Sequence, residues 1–129
     1  MTSSAASVRA RSLAWLGVPT DDVDTAAAFF TRQLGVGLEH RDGDFAILRL
    51  ASGQAIELFG PSLRGQPQFQ TGPVVGFEVD GVVAVRAEME AAGVHFIGPV
   101  HRGDGGAAWS HFTGPDGQVY ELTQLARSR

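Results

Sequence analysis

Residues 114–122, Gly-Pro-Asp-Gly-Gln-Val-Tyr-Glu-Leu, form a turn followed by a strand and carry the most specific pattern in this chain. Pro-Asp-Gly is typical of a turn, because proline presets the backbone angle and glycine accepts conformations that other residues avoid. Valine and tyrosine after it favour an extended strand. A related strand, Ala-Ile-Glu-Leu-Phe, occupies residues 55–59. The two Glu-Leu strands suggest that one unit occurs twice.

Each of these strands is the last element of a segment with the same predicted order. Apolar runs predict a first strand at 13–18 and again at 74–79. Apolar residues spaced three and four apart then predict a helix that ends at Gly35 in one segment and at Gly93 in the other. Three more strands complete each segment, at 38–41, 45–50 and 55–59 in the first and at 95–100, 107–112 and 118–122 in the second.

The spacing of equivalent positions supports a tandem duplication. Trp15 and Val74 are 74 − 15 = 59 residues apart, and the helix-ending glycines are 93 − 35 = 58 apart. Glu57 and Glu121 are 121 − 57 = 64 apart, because the second segment has a glycine-rich insertion at 102–106 and a longer last hairpin. We expect that insertion to be a mobile flap.

The repeat predicts an α+β fold of two tandem βαβββ modules that share a common concave core, referred to as the cup. Module 1 is expected at 13–60 and module 2 at 74–124, with a linker at 61–73. A flexible N-terminal segment (1–12) and a C-terminal tail (125–129) complete the predicted domain organisation. A sheet with a helix on one face leaves the other face bare, so a ligand is expected in the cup.

Composition restricts the function further. The 129 residues include no cysteine, which excludes disulfides, thiolate nucleophiles and cysteine metal sites. Ten basic and fourteen acidic residues give a net charge of −4, which argues against nucleic acid as a partner. No apolar stretch approaches the length of a membrane helix, and no signal-peptide core is evident. We therefore expect a cytoplasmic protein without a nucleic-acid or membrane partner.

Three motifs together resemble the vicinal oxygen chelate superfamily, which includes glyoxalase I, extradiol dioxygenases, fosfomycin-inactivating transferases and bleomycin resistance proteins. They lie at 18–30, 76–80 and 114–122, and the resemblance covers roughly residues 13–124. It implies two βαβββ modules in an open, cupped mixed sheet with the helices on its outer face, commonly assembled as a homodimer. It also implies a divalent metal in the cup of the superfamily's enzymes.

The resemblance places metal ligands on the first and last strands of each module, at Trp15, Glu57, Val74 and Glu121. An indole and an isopropyl group have no lone pair for a cation, so two of these four positions cannot bind a metal. Two carboxylates without imidazole would form a weak and unselective site. We therefore expect neither a metal nor another cofactor.

Other side chains near these positions could still support chemistry. Strand alternation and the resemblance place His111 and Trp109 on the same face as Glu121. An imidazole beside a carboxylate could act as a general acid/base pair, or it could simply form a structural hydrogen bond. A divalent metal held by His101, His111 and Glu121, with or without Glu57, is the alternative ligand set.

The sequence accordingly favours a small-molecule-binding protein of the glyoxalase/bleomycin-resistance type with a degenerate, metal-free cup. The predicted ligand-binding residues are Trp15, Glu57, Phe59, Val74, His101 and Trp109, with His111 and Glu121 as the candidate catalytic pair. Trp15 is either part of the core or a stacking wall for an organic ligand. The alternatives are a metal-dependent or His/Glu-dependent lyase, isomerase or dioxygenase, and a dimeric interaction module whose cup is filled by its own side chains.

Overall fold

The computed structural model describes residues 10–127. Residues 1–9 of the predicted flexible segment and 128–129 of the predicted tail lie outside that range. The first module contains β1 (Ser12–Pro19), α1 (Val23–Leu34), β2 (Gly37–Asp42), β3 (Phe45–Arg49) and β4 (Ala55–Phe59). The second contains β5 (Val74–Glu78), α2 (Val82–Ala91), β6 (Phe96–Arg102), β7 (Ala108–Thr113) and β8 (Val119–Gln124).

The predicted α+β class and the two βαβββ modules are confirmed by this element order. The sheet is mixed, because β1 pairs with β4 and β5 with β8 in parallel while the remaining neighbours within each module pair antiparallel. β2 is an edge strand in the first module and β6 in the second, so neither module's sheet is closed. The bounds of β4 match the prediction and α1 ends at Leu34, directly before Gly35, whereas β6 continues two residues beyond the predicted end at Val100.

The compact units of the described chain do not coincide with the predicted modules. One unit comprises residues 15–75, and the other combines 10–14 with 76–127. The start of β1 belongs to the unit that contains 76–127. Arg11 N–H donates to Glu78 O over 2.8 Å, and Ser12 Oγ donates to Glu78 Oε1 over 2.7 Å. Sequence periodicity locates β1 but does not reveal this long-range pairing.

The unit at 15–75 has the strand order β2-β3-β4-β1, and α1 packs on one of its faces. Asp22 caps the helix by accepting a hydrogen bond from Thr25 N at 3.1 Å. Gly35 ends it in the left-handed conformation, φ 68°, which glycine adopts without steric cost. The buried core is formed by Val23, Ala27, Val36, Ala46, Leu48, Ile56 and Leu58.

The other unit has the order β5-β8-β7-β6, with α2 packed on a core of Val79, Val82, Val85, Phe96, Ala108 and Leu122. Gly81 at the start of α2 has no side chain to cap the helix. Gln124 supplies the cap instead, since its Oε1 accepts from Val82 N at 2.9 Å. Its Nε2 also donates to Gly106 O over 2.7 Å and so ties the glycine-rich loop to the end of β8.

Two loops contain local hydrogen-bonded structure. The predicted linker 61–73 contains a 3₁₀ turn at Pro67–Phe69, and Phe69 is buried. The predicted flap is held at Gly103 and Ala107 by backbone hydrogen bonds, in addition to the bond from Gln124. No helix in residues 10–127 is long and apolar enough to cross a membrane.

Candidate functional site

The predicted site residues lie on the sheet faces opposite the helices. In the unit at 15–75, Leu16 and Leu58 belong to the layer that packs against α1. Side chains alternate between the two faces of a strand, so Trp15, Glu57 and Phe59 lie on the other face. The prediction that these three share a face therefore agrees with the register of β1 and β4.

Trp15 occupies space that a larger residue at position 17 would need. A Cβ built on Gly17 would lie 2.1 Å from Trp15 Cη2 and 2.6 Å from Cζ2, far inside van der Waals contact. The benzo ring therefore lies along β1 over Gly17, and the indole remains half-buried. The sequence pattern identifies Trp15 as a candidate ligand-binding residue but does not reveal its dependence on Gly17.

An aromatic cluster extends from Trp15 across this face. The Trp15 and Phe59 ring centroids are 6.0 Å apart in an edge-to-face arrangement. Phe59 also contacts Phe45 at 5.4 Å and Phe69 at 4.7 Å. The hairpin register that pairs Phe45 with Phe59 could have identified Phe45 from the sequence, but Phe69 lies in a turn-rich segment whose composition gave no signal.

Glu57 lies between Gly17 on β1 and Ile47 on β3 in the strand register and is half-buried. Its charge contributes to the electrostatics of Arg49. The pKa of Arg49 is raised mainly by its hydrogen bonds to Glu39, and the negative charge of Glu57 adds to the same effect. Val74, the remaining predicted position in this unit, is fully buried.

In the unit of 10–14 and 76–127, the structure brings His111 and Glu121 together. His111 Nε2 lies 2.9 Å from Glu121 Oε1, and both side chains are more than nine-tenths buried. Glu121 Oε2 accepts a hydrogen bond from Thr123 Oγ1 at 2.7 Å. Both carboxylate oxygens therefore have a partner, which fixes the orientation of Glu121. Sequence reasoning missed Thr123, although its position two residues after Glu121 places it on the same strand face.

His101 and Trp109 lie beside this pair. The two rings stack with centroids 5.8 Å apart and planes inclined by 21°. His101 also approaches His111, with ring centroids 6.3 Å apart. The predicted proximity of these three residues is therefore observed, and together with Glu121 they form an aromatic and polar surface on β6, β7 and β8.

The residues present do not fit the metal site that the resemblance implies. Trp15 and Val74 provide no donor atom, and both oxygens of Glu121 already bind protein groups. Within residues 10–127, no group of three or more histidine and carboxylate side chains is arranged to hold a metal ion. The alternative set of His101, His111 and Glu121 is thus not assembled as a metal centre.

Comparison with known proteins identifies the family. The sequence model of the Glyoxalase/Bleomycin resistance protein/Dioxygenase superfamily matches residues 12–122. The chain belongs to this superfamily. Its predicted resemblance is therefore confirmed. No curated protein matches the chain in sequence.

Solved structures of this superfamily's fold resemble the chain at low sequence identity. A hypothetical protein from Bacillus halodurans C-125 has a TM-score of 0.71 and 19% identity, covering 92% of this chain and 96% of its own. Methylmalonyl-CoA epimerase from Mycobacterium tuberculosis has a TM-score of 0.70 and 20% identity, and the match covers 98% of this chain and 94% of the epimerase. A superfamily member from Vibrio splendidus 12B01 has a TM-score of 0.62 and 18% identity, and the match covers 85% of this chain and 96% of the Vibrio chain. These similarities establish the fold.

Proposed function

We propose that this superfamily member binds a small organic molecule without using a divalent metal. The observation that carries the proposal is that Trp15, at a position where the resemblance implies a metal donor, lies half-buried at the end of an aromatic cluster and offers no donor atom. Val74, at a second such position, offers none either. Aromatic walls with a few oriented polar groups are typical of small-molecule sites. Sequestration requires binding alone, so the missing donors do not impair it.

We propose that the protein acts in the cytoplasm as a homodimer. The absence of cysteine fits a reducing compartment. Dimerisation rests on the family resemblance and is tested by sedimentation or light scattering. A single monomeric species at all concentrations would contradict the dimer without affecting the binding proposal.

Metal analysis tests the metal-free part of the proposal. The protein is purified without added metal, its bound divalent ions are quantified, and Zn²⁺, Ni²⁺, Mn²⁺ and Fe²⁺ are titrated by calorimetry. We expect no stoichiometric tight binding. Tight one-to-one binding that is lost in His111→Ala and retained in His40→Ala would overturn the proposal; His40 lies on the exposed strand β2 and serves as the matched control.

The second candidate function is proton transfer by His111 and Glu121. The observation that favours it is the buried carboxylate held on one side by Thr123 and on the other by His111 Nε2. With Nε2 engaged, Nδ1 is the nitrogen that could take a proton from a carbon acid, and Glu121 would stabilise the imidazolium formed. The proton would then return to the carbanion from His111 or from solvent.

Deuterium exchange tests this second function. Methylmalonyl-CoA in deuterated water is a suitable probe, because an epimerase named for it shares the fold. An enzyme using this pair would exchange the acidic hydrogen, and His111→Ala would slow the exchange by about 100-fold or more. Exchange no faster than in buffer would reject methylmalonyl-CoA as a substrate, and equal rates in wild type and His111→Ala would reject the pair.

A further inference from the structure

We propose that Arg86, on the helix side of the sheet, is a positioning residue for side chains on the opposite face. It holds a bulge in β6, and this bulge fixes where His101 lies relative to Trp109 and His111. The inference rests on the binding role proposed for His101 and Trp109, but its test requires no ligand. It concerns residues 76–127 alone.

The first step is the irregular pairing of β6 with β7. Ile97 is the register partner of His111. The next partners are His101 and Trp109, so four residue steps on β6 (97 to 101) face only two on β7 (109 to 111). Gly98, at the start of this bulge, is left-handed with φ 70°, a conformation that other residues rarely adopt. A bulge redirects the side chains that follow it, so its conformation sets the position of His101.

The second step is the set of contacts that Arg86 makes around the bulge. Its Nη1 donates to Gly98 O over 2.8 Å and to Ser110 Oγ over 3.0 Å. Ser110 lies on β7 between the two register pairs and is fully buried. The guanidinium carbon lies 4.9 Å from the centre of the Phe96 ring, just before the bulge. Arg86 therefore contacts β6 ahead of the bulge, the bulge itself and the strand opposite it.

The third step is that Arg86 is itself held in place. Only 20% of its side chain is exposed, and its Nε lies 3.4 Å from Glu90 Oε2. A charged donor forms a stronger hydrogen bond than a neutral one, and the planar guanidinium presents its donors in fixed directions. With Glu90 on one side and the bulge on the other, Arg86 keeps the bulge in one conformation.

The first module shows that the repeated fold does not require this arginine. The helix-ending glycines are 58 residues apart and the first strands 59 apart, so the positions equivalent to Arg86 are 28 and 27, and both are alanine. The bulge in β2, between Leu38 and His40, contains one extra residue rather than two. The arginine and the longer bulge thus occur together in the module that carries the polar face.

The fourth step is the arrangement that follows the bulge. The His101 ring stacks on Trp109 with centroids 5.8 Å apart, and its centroid lies 6.3 Å from that of His111. His101 is exposed, whereas Trp109 is half-buried. Because neighbouring side chains do not enclose the imidazole, its position depends on the backbone that carries it, and Arg86 holds that backbone.

Nuclear Overhauser effects between the two rings test the inference. His101→Gln and Trp109→Phe assign the signals, and we expect cross-peaks between the imidazole and indole protons of the wild type. Arg86→Met keeps a long side chain but removes every N–H donor, so these cross-peaks should lose most of their intensity. Val85→Ala is the matched control. It removes buried volume beneath the same helix and leaves Arg86 intact, so the cross-peaks should persist.

Circular dichroism and thermal unfolding verify that each variant is folded. If Arg86→Met does not fold, Gly98→Ala replaces it, because alanine resists the left-handed conformation, and it should weaken the same cross-peaks. Unchanged cross-peaks in the folded variant, or equal weakening in Val85→Ala, would overturn the inference. So would failure of both bulge variants to fold, since Arg86 would then act on the whole unit. Failure to bind any small molecule would reject the proposed function and leave this result unaffected.

Discussion

Glu57 and Glu121 occupy equivalent places in the two modules but have different surroundings. In each module a first-strand glycine is the register partner of the glutamate, Gly17 in one and Gly76 in the other. The neighbouring antiparallel strand presents Ile47 to Glu57 and His111 to Glu121. Glu57 is half-buried, whereas only 5% of Glu121 is exposed.

The difference shows how burial and partners are linked. A buried carboxylate needs hydrogen-bond partners, because its desolvation is costly. His111 and Thr123 provide them for Glu121. The equivalents of these two residues in the first module are Ile47 and Phe59, which cannot do so, and there the carboxylate retains contact with solvent. The repeated backbone thus supports one polar face and one aromatic face.

Exchanging the neighbours of the two carboxylates should have the largest effect on the free energy of unfolding. His111→Ile copies the first module into the second and leaves buried Glu121 without its imidazole, so we expect a loss of about 3 kcal/mol in the free energy of unfolding. The reciprocal Ile47→His change should lower the free energy of unfolding by only about 1 kcal/mol. Ile47 is half-buried, and the new imidazole would lie beside a carboxylate that is already partly solvated. Urea denaturation of both variants measures the contrast. Equal losses would mean that burial does not distinguish the two glutamates.

Removing the distant helix cap should have a smaller effect. Gln124→Ala leaves the first amide of α2 without its acceptor and should cost about 1 kcal/mol. Amide exchange should accelerate at Val82 and in the glycine-rich loop that Gln124 also binds. In α1, Asp22→Ala should accelerate exchange locally at Thr25, since that cap bridges only three residues. A purely local response to Gln124→Ala would contradict the bridging role.

Acid should destabilise the unit at 15–75 less than the loss of the Gln124 cap destabilises the other unit. The pKa of Asp22 is lowered by hydrogen bonds from Thr25, that of Glu39 by Arg49, and that of Asp44 by Ser62. A lowered folded-state pKa stabilises the fold above the unfolded value, so this contribution should be complete above about pH 5 and disappear as the pH falls below about 4. Asp44→Asn should flatten the pH dependence of the unfolding free energy. An unchanged slope would exclude Asp44 as a contributor.

The smallest effect is expected at the surface of α2. Arg86 and Glu90 form an i,i+4 ion pair with N and O 3.4 Å apart, and about half of the Glu90 side chain is exposed. Glu90→Gln should therefore change the unfolding free energy by less than about 0.5 kcal/mol. Arg86→Ala should cost more, because the guanidinium also donates to Gly98 O and Ser110 Oγ and lies over Phe96. Urea denaturation should give this order.

The sequence was most informative where structure depends on short-range patterns. Helical spacing and the glycine at its end located α1. Strand alternation and the family resemblance placed His111 on the same face as Glu121, and the two residues are register partners in the structure. Phe69 and Gln124 could not be found in this way. Their partners, Phe59 and Val82, are brought close only by folding, and neither residue type signals such a contact in advance. The catalytic and binding roles of the site residues remain predictions.

The hydrogen bonds that tie Arg11 and Ser12 to Glu78 have a consequence for synthesis on the ribosome. The side-chain bond spans 66 positions along the chain. The beginning of β1 emerges from the ribosome well before Glu78 and cannot form these two bonds until residue 78 has followed it. Although the chain contains two copies of one unit, the hydrogen bonds at the start of β1 cannot form as soon as the first copy has been made. Such delayed pairing slows folding, because distant segments must meet before the contact forms.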